Sequence, residues 1–332
     1  MQRPGLIDLQ VNGFAGVDFN DPRLTAPALD HALAAMRRTG VTSCLPTLIT
    51  ATEAELQARF AALDEAVARS QLGPKMVPGY HLEGPFLNPA PGYAGCHPAQ
   101  AMIAGDTGML DRLQAGRRTP ILLLTLAPER PGADAVMRWA RRHAVLVAIG
   151  HSAALLPDVA RAADLGAALS THLGNAQPQP LPKFDNPLMA HLSEDRLSAS
   201  FIADGIHVPP FALKVMMRAK GVARTILVTD ATAASAAPAG RYELAGMGIE
   251  RSADGSVRVP GAPMLAGSSL ELDQAVRNLV GWGIATFEEA LRMASGNPAA
   301  LLAPALAARN IALAATPVTW SDTLQPSARN WT

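Results

Sequence analysis

What most constrains this chain is one alternation repeated eight times: a short apolar run, then a longer stretch with helical periodicity. The runs are LIDLQV (6–11), TSCLPTLI (42–49), MVPGYHLE (76–83), PILLLTLA (120–127), VLVAIGH (145–151), AALSTHL (167–173), SASFIAD (198–204) and RTILVTD (224–230). Between them lie stretches such as APALDHALAAMRR, EAELQARFAALDEAVARS and ADAVMRWARRHA, whose apolar residues recur at three and four. Short continuous apolar strands separated by helices imply a parallel sheet covered on both faces, and eight such units close into a (β/α)8 TIM-like barrel. A doubly wound open sheet is the rival architecture.

A chain of 332 residues is long enough for one such core. No repeat or low-complexity linker divides it, so residues 1–332 read as a single domain. After the eighth run, residues 240–268 become Gly-rich and alternate around ADG, which predicts a β-hairpin excursion before the helical LELDQAVRNLVGWG. Residues 304–332 read as an irregular tail.

Charge narrows the partners. Lys plus Arg and Asp plus Glu are each 28, and no run of one sign occurs, so neither nucleic acid nor an anionic membrane surface has an electrostatic handle. No window of 18 apolar residues would span a bilayer, and the first residues lack a secretory pattern. Cys44 and Cys96 are too few for a disulfide framework and read as ordinary thiols in a cytoplasmic protein. A small molecule is the expected partner.

The ionisable residues gather at the ends of the runs. Gln10 and Asn12 follow the first strand, Glu83 ends the third, His151 the fifth, His172 the sixth and Asp230 the eighth, while Asp204 and His207 follow the seventh. In a barrel these ends share one face, where the βα-loops build the active site. Each residue alone has an ordinary explanation, such as a helix cap or a hydrogen-bonded core histidine. Together, one carboxylate and two imidazoles form a three-ligand set for a zinc-like ion with a position left open, and Asp230 remains as a spare acid. His31, His143 and His191 are expected to be solvated. His81 shares the side of its strand with Glu83 and is expected to support or pack beside the site, and His97 lies on a loop over the same face.

The segments GLIDLQVNG, HLEGPFLNP, GHSAA, THLGNA, IADGIHV, LVTDATAAS, LAGSSLELDQAVRN and ASGNPAALL occur in that order over residues 5–302. In this ordered set the chain resembles the N-acetylglucosamine-6-phosphate deacetylase family of the amidohydrolase superfamily. The resemblance implies that Glu83, His151 and His172 bind one divalent metal ion. Zinc is the expected ion, and iron, manganese or cobalt could take its place. It implies that Asp230 is the catalytic acid/base, that His97 acts near the reacting amide, and that His207, Asn175 and Ala176 hold substrate. Gln10 and Asn12 stand where many amidohydrolases carry a His-x-His for a second metal, as in single-metal members. The family's reaction would release acetate from N-acetylglucosamine 6-phosphate, and a homodimer is expected by the same resemblance.

The match departs in two places. Where the family carries an Arg-Glu-Pro-Gly stretch that grips the sugar phosphate, this chain reads QPQPLPKFDNP and offers Lys183, a point charge without the planar fork of arginine. The terminal β-structure that forms a small sandwich beside the barrel is also expected to be missing, through natural loss or a truncated gene model. Two alternatives therefore stand beside the phosphorylated substrate: an unphosphorylated or different N-acyl amino sugar, and a non-catalytic sugar-binding barrel.

Overall fold

All eight runs form strands, and each strand hydrogen-bonds in parallel to the next. They are β1 (Leu6–Val11), β2 (Val41–Ile49), β3 (Tyr80–Glu83), β4 (Ile121–Leu126), β5 (Leu146–Ile149), β6 (Ala167–Ser170), β7 (Ser198–Phe201) and β8 (Thr225–Leu227). The computed structural model describes residues 1–262, 264–314 and 316–328. Just beyond β8, a parallel bridge joins Val11 to Ala231, the Asp230 N–H donates to the Gln10 carbonyl at 2.9 Å, and Asn12 N–H donates to the Ala231 carbonyl at 2.7 Å. These contacts bring the two ends of the sheet together, so the open doubly wound arrangement is excluded.

The helices form where the periodicity places them, including Ala26–Arg38, Glu53–Arg69 and Ala133–Arg142. Thr52 and Glu55 close a reciprocal capping box at the second of these, satisfying N–H groups that the first turn leaves free. From β3 onward the strands are shorter than the apolar runs. Met76, for instance, ends a one-turn helix Gly73–Met76, and β3 starts only at Tyr80 because Pro78 has no N–H to give the ladder. One apolar cluster extends from Leu6 to Trp320, filling the barrel and the layer between strands and helices.

The excursion is a three-stranded antiparallel meander, Gly240–Leu244, Met247–Arg251 and Val257–Arg258. Ala245 and Gly246, both at positive φ (54° and 83°), make its two-residue turn, the geometry that matches strand twist. Leu244, Ile249 and Val257 pack against Ile49 and Ala234, which seats the meander over the end of β2. Residue 263 of the excursion and residues 315 and 329–332 of the tail lie outside the described residues.

The tail corrects the expectation of an irregular segment. A helix continues through Asn297–Ala307, and Pro317–Trp320 pairs antiparallel with Gln2–Pro4 on one side and Pro326–Ala328 on the other. The two ends of the chain thus build a small sheet of their own, where none was expected. Its anchors are Val318 and Trp320, buried at 0 % and 1 %, with Trp320 edge-on to Phe287 at 5.2 Å. Strands of three or four residues leave too little periodicity to be recognised without the partner strand.

Candidate active site

The C-terminal ends of β3, β5, β6 and β8 deliver their polar residues to one buried point. Glu83, at the end of β3, is 1 % exposed. Its Oε1 lies 3.0 Å from His172 Nε2 and 3.4 Å from His151 Nε2, and its Oε2 lies 3.7 Å from His97 Nε2. Among the described residues, Glu83, His97 and His151 have donor atoms all within 4.8 Å of one another, and His172 joins them through the shared carboxylate. His97 is therefore closer to the carboxylate than its loop position required, and four potential ligands face each other.

Backbone conformation marks three of these positions independently. His151, His172 and Asp230 sit just past their strands at φ of 51°, 30° and 50°, in the left-handed region that non-glycine residues rarely occupy. Such strain concentrates where a side chain has to be aimed. Gly84 follows Glu83 at φ 90°, and a Cβ there would collide with the Thr50 hydroxyl, so the turn that presents Glu83 requires glycine.

The donors suit a divalent cation. Two ligands on one tetrahedral ion with bonds of about 2 Å lie roughly 3.3 Å apart, which the Glu83–imidazole separations bracket. His151 Nδ1 lies 2.8 Å from the Tyr93 carbonyl oxygen, which can only accept, so Nδ1 carries the proton and Nε2 offers a lone pair to the cluster. His172 Nδ1 is buried and meets no hydrogen-bond partner among the described residues. Burial opposes the charge on Glu83, but the facing imidazoles of His151, His172 and His97 hold its carboxyl well below the usual range. A carboxylate among imidazoles is a set that zinc and its neighbours accept.

Asp230 stands beside this group. Its Oδ1 accepts from Asn12 Nδ2 at 2.8 Å and from Gln10 Nε2 at 3.2 Å. The same Gln10 amide also donates to Glu83 Oε1 at 3.0 Å, so one neutral side chain ties the two acids together. Burial, then the charge on Glu83, raise the Asp230 pKa to about 6. His97 is neutral at any working pH, its pKa lowered to about 3 by burial and by the facing His151.

The remaining expected residues divide. His207 is partly buried, its Nδ1 2.6 Å from Asp204 Oδ2, while Asp204 Oδ1 accepts the Ile206 and His207 N–H groups at 2.8 Å each. Asn175 and Ala176 line a crevice with His151 and Gly174; the Asn175 amide turns back to the His172 carbonyl at 2.9 Å, and Ala176 has φ 51°. Lys183 does not join the buried group: it is exposed, with Nζ 5.4 Å from the Phe184 ring centroid. His81 is fully buried between Thr47 Oγ1 (3.3 Å) and Thr125 Oγ1 (2.8 Å), beneath Glu83 on the same strand.

Of the histidines expected in solvent, His31 and His143 are exposed, but His191 is buried at 4 % and bonds Ser170 Oγ at 2.9 Å. The helix Pro187–Ser193 packs this face inward, and its short pattern hid that. Sequence reading also missed Thr50, which contacts His97, and Asp204 as the partner of His207. The strand-end rule could have found Thr50, since it is the polar residue directly after β2.

Below the site, Asp8 in β1 is fully buried and accepts from the Thr229 hydroxyl at 2.6 Å and from the Gln10 and Thr229 N–H groups at 3.3 Å. Burial raises its pKa to about 7, against these hydrogen bonds. An acid whose folded pKa lies above its unfolded value stabilises fully below about pH 4 and loses that contribution as pH rises through about 7. Asp8→Asn keeps the shape without the charge, so its thermal midpoint should fall less than that of the native protein between pH 5 and 8, by a few degrees. Parallel melting curves would contradict the assignment.

No family model matches the chain. Curated relatives do: an N-acetylgalactosamine-6-phosphate deacetylase of Escherichia coli is 35 % identical over 90 % of this chain and 77 % of its own. N-acetylglucosamine-6-phosphate deacetylases of Lysinibacillus sphaericus (34 %, 89 % and 75 %) and Bos taurus (35 %, 90 % and 74 %) are similarly related. Among solved structures, the N-acetyl-D-glucosamine-6-phosphate deacetylase of Mycobacterium smegmatis, a variant in complex with N-acetyl-D-glucosamine-6-phosphate, superposes with a TM-score of 0.86 at 30 % identity. That match covers 98 % of this chain and 84 % of the other. On these relations and on a metal-ready cluster at the strand ends of a TIM-like barrel, the chain belongs to the N-acetylglucosamine-6-phosphate deacetylase family of amidohydrolases.

Proposed function

We propose that this protein hydrolyses the acetamide of N-acetylglucosamine 6-phosphate to acetate and glucosamine 6-phosphate, using one divalent metal ion held by Glu83, His151 and His172. The observation that carries the reading is the convergence of these side chains on one point beside Asp230. Zinc suits the mixed nitrogen and oxygen set, and iron, manganese or cobalt could replace it. His151 and His172 share Glu83 Oε1 and carry the strained strand-end backbone, whereas His97 comes from a loop and approaches Oε2 at the longest separation. That favours the two strand-end histidines as ligands and leaves His97 for the substrate.

A divalent cation supplies a Lewis acid that makes water nucleophilic near neutral pH and offsets charge growing on the amide oxygen. Asp230, held by Asn12 and Gln10, takes the proton from the attacking water and delivers it to the departing nitrogen, a task that requires it to begin ionised. His97 donates to the carbonyl oxygen as it becomes an oxyanion. His207, oriented by Asp204, binds the sugar with Asn175 and Ala176. Lys183 meets the 6-phosphate from the loop before Pro187–Ser193.

A homodimer accords with this reading, because Phe184, Met189, Phe211 and Val215 are exposed on the units that follow β6 and β7. Among the described residues no helix is long and apolar enough to cross a membrane, and Cys44 and Cys96 are free thiols, which supports a cytoplasmic setting.

The second reading, an unphosphorylated or different N-acyl amino sugar, rests on Lys183: it is exposed and offers no bidentate fork. Acetate release from N-acetylglucosamine with and without the 6-phosphate, and from the galactosamine epimer, separates the readings. The phosphorylated sugar should be the better substrate. Lys183→Ala should raise its KM about tenfold, the cost of one charge-assisted contact, and leave the unphosphorylated sugar unaffected. Acetate from the unphosphorylated sugar alone would favour the second reading.

A further inference from the structure

β4 runs between β3 and β5 and hydrogen-bonds to both, yet it gives no residue to the proposed ligand set. Past its end stands Glu129, half-buried in the loop that follows Leu126. Its Oε1 accepts from the Ala153 N–H at 2.7 Å and from Asn88 Nδ2 at 2.9 Å, and its Oε2 accepts from the Ser152 hydroxyl at 2.6 Å. Further bonds fix the two side-chain donors. Asn88 Oδ1 takes the Ala90 N–H at 2.9 Å, which turns the amide nitrogen toward Glu129, and Ser152 Oγ takes the Ala154 N–H at 3.0 Å, which leaves its own proton for the carboxylate. One side chain thus joins the turn after β3 to the turn after β5.

His151 lies between these attachments. It holds φ at 51°, a conformation that costs a non-glycine residue free energy and persists only where its surroundings over-determine it. Its carbonyl oxygen accepts the Asn88 N–H at 3.0 Å, and the residues that follow it, Ser152 and Ala153, are the ones bound by Glu129. Both sides of the strained residue are therefore tied to the same carboxylate. From that backbone the ring reaches toward Glu83, with Nε2 3.4 Å from Oε1. We propose that Glu129 is a positioning residue: it clamps the turns past β3 and β5 together, keeps His151 in its left-handed conformation, and so sets how tightly the site grips a metal ion. The assignment rests on the ligand set given above and not on the identity of the sugar, and it adds a residue that acts only through His151.

The test uses the full-length protein, native and with Glu129→Ala, Glu129→Gln and Ser152→Ala. Zinc affinity is measured by competition with a chelator, and crystals of the metal-free proteins give the His151 φ. Glu129→Ala should bind zinc about ten- to a hundredfold more weakly, the range for losing an outer partner of a metal ligand, and its metal-free His151 should leave the left-handed region that the native residue keeps. Glu129→Gln keeps an oxygen for Ala153 and Asn88 and turns an amide toward Ser152. Its affinity should stay within about fivefold of native, the scale of one weakened hydrogen bond, and Ser152→Ala should lose about the same.

Native zinc affinity in Glu129→Ala would overturn the assignment, as would a His151 that stays near φ 51° in that variant. Equal losses in Glu129→Ala and Glu129→Gln would overturn it too, since the charge and not the clamp would then act on the metal. If Glu129→Ala does not fold, Ser152→Ala carries the test, and native affinity there counts against the clamp. Should the native protein bind no zinc, the ligand set itself fails, and the His151 backbone in the metal-free crystals still decides the role of Glu129.

Discussion

Glu83→Gln should leave the purified protein without its metal and without deacetylase activity. The carboxylate is the one anionic ligand in the proposed set, and the imidazoles of His97, His151 and His172 all face it. An amide of the same shape keeps an oxygen but no charge, so a divalent cation would sit among neutral donors in a buried site where Asp230, outside the proposed ligand set, is the one nearby acid. Metal affinity should fall by more than about 100-fold, the upper end of what losing an outer-shell partner costs. Dialysed native protein should keep about one metal ion per chain by elemental analysis, and the variant almost none. Retention of a full equivalent by Glu83→Gln would remove Glu83 from the ligand set.

Asp230→Asn separates metal binding from chemistry. Asn12 and Gln10 donate to Asp230 Oδ1, and an asparagine oxygen in the same place accepts both bonds, so the side chain should stay put. It can no longer take a proton from water. The loss in kcat should reach about 10²–10⁴, the range of a general acid–base group, with metal content at the native level and KM little changed. If the variant turns over at the native rate, the proton carrier is another residue. If it loses its metal, Asp230 belongs to the ligand set, and the roles given to it and to Glu83 would have to be redrawn.

Much of this site was legible because a parallel barrel obeys a simple rule: what stands at the C-terminal ends of its strands meets on one face. Glu83 and Asp230, the extremes of the set that includes His151 and His172, are 147 positions apart (230 − 83), yet their strand-end positions alone predicted convergence. The three residues just past their strands also carry positive φ, a feature with no signature in their residue types.

Other elements were illegible for particular reasons. The sheet of Gln2–Pro4, Pro317–Trp320 and Pro326–Ala328 is made of strands too short to show a period, from opposite ends of the chain. His191 sits in a seven-residue helix whose buried face is set by its neighbours, and burial gives it Ser170 as partner. Sequence placed His97 over the barrel mouth but could not say that it would approach Glu83 Oε2, because that depends on how the loop between β3 and β4 folds back toward Thr50. Lys183 was named because it stands where the resembled family carries an arginine for the phosphate, and a matching position does not aim a side chain on an exposed loop.

The most direct test is anomalous scattering from crystals of the zinc-loaded protein, which locates the ion without reference to activity. The account predicts one peak about 2 Å from a Glu83 carboxylate oxygen and from one ring nitrogen each of His151 and His172, with Asp230 beside it and His97 outside bonding distance. A peak bonded to His97 in place of His172, or no peak among the ends of β3, β5 and β6, would contradict it.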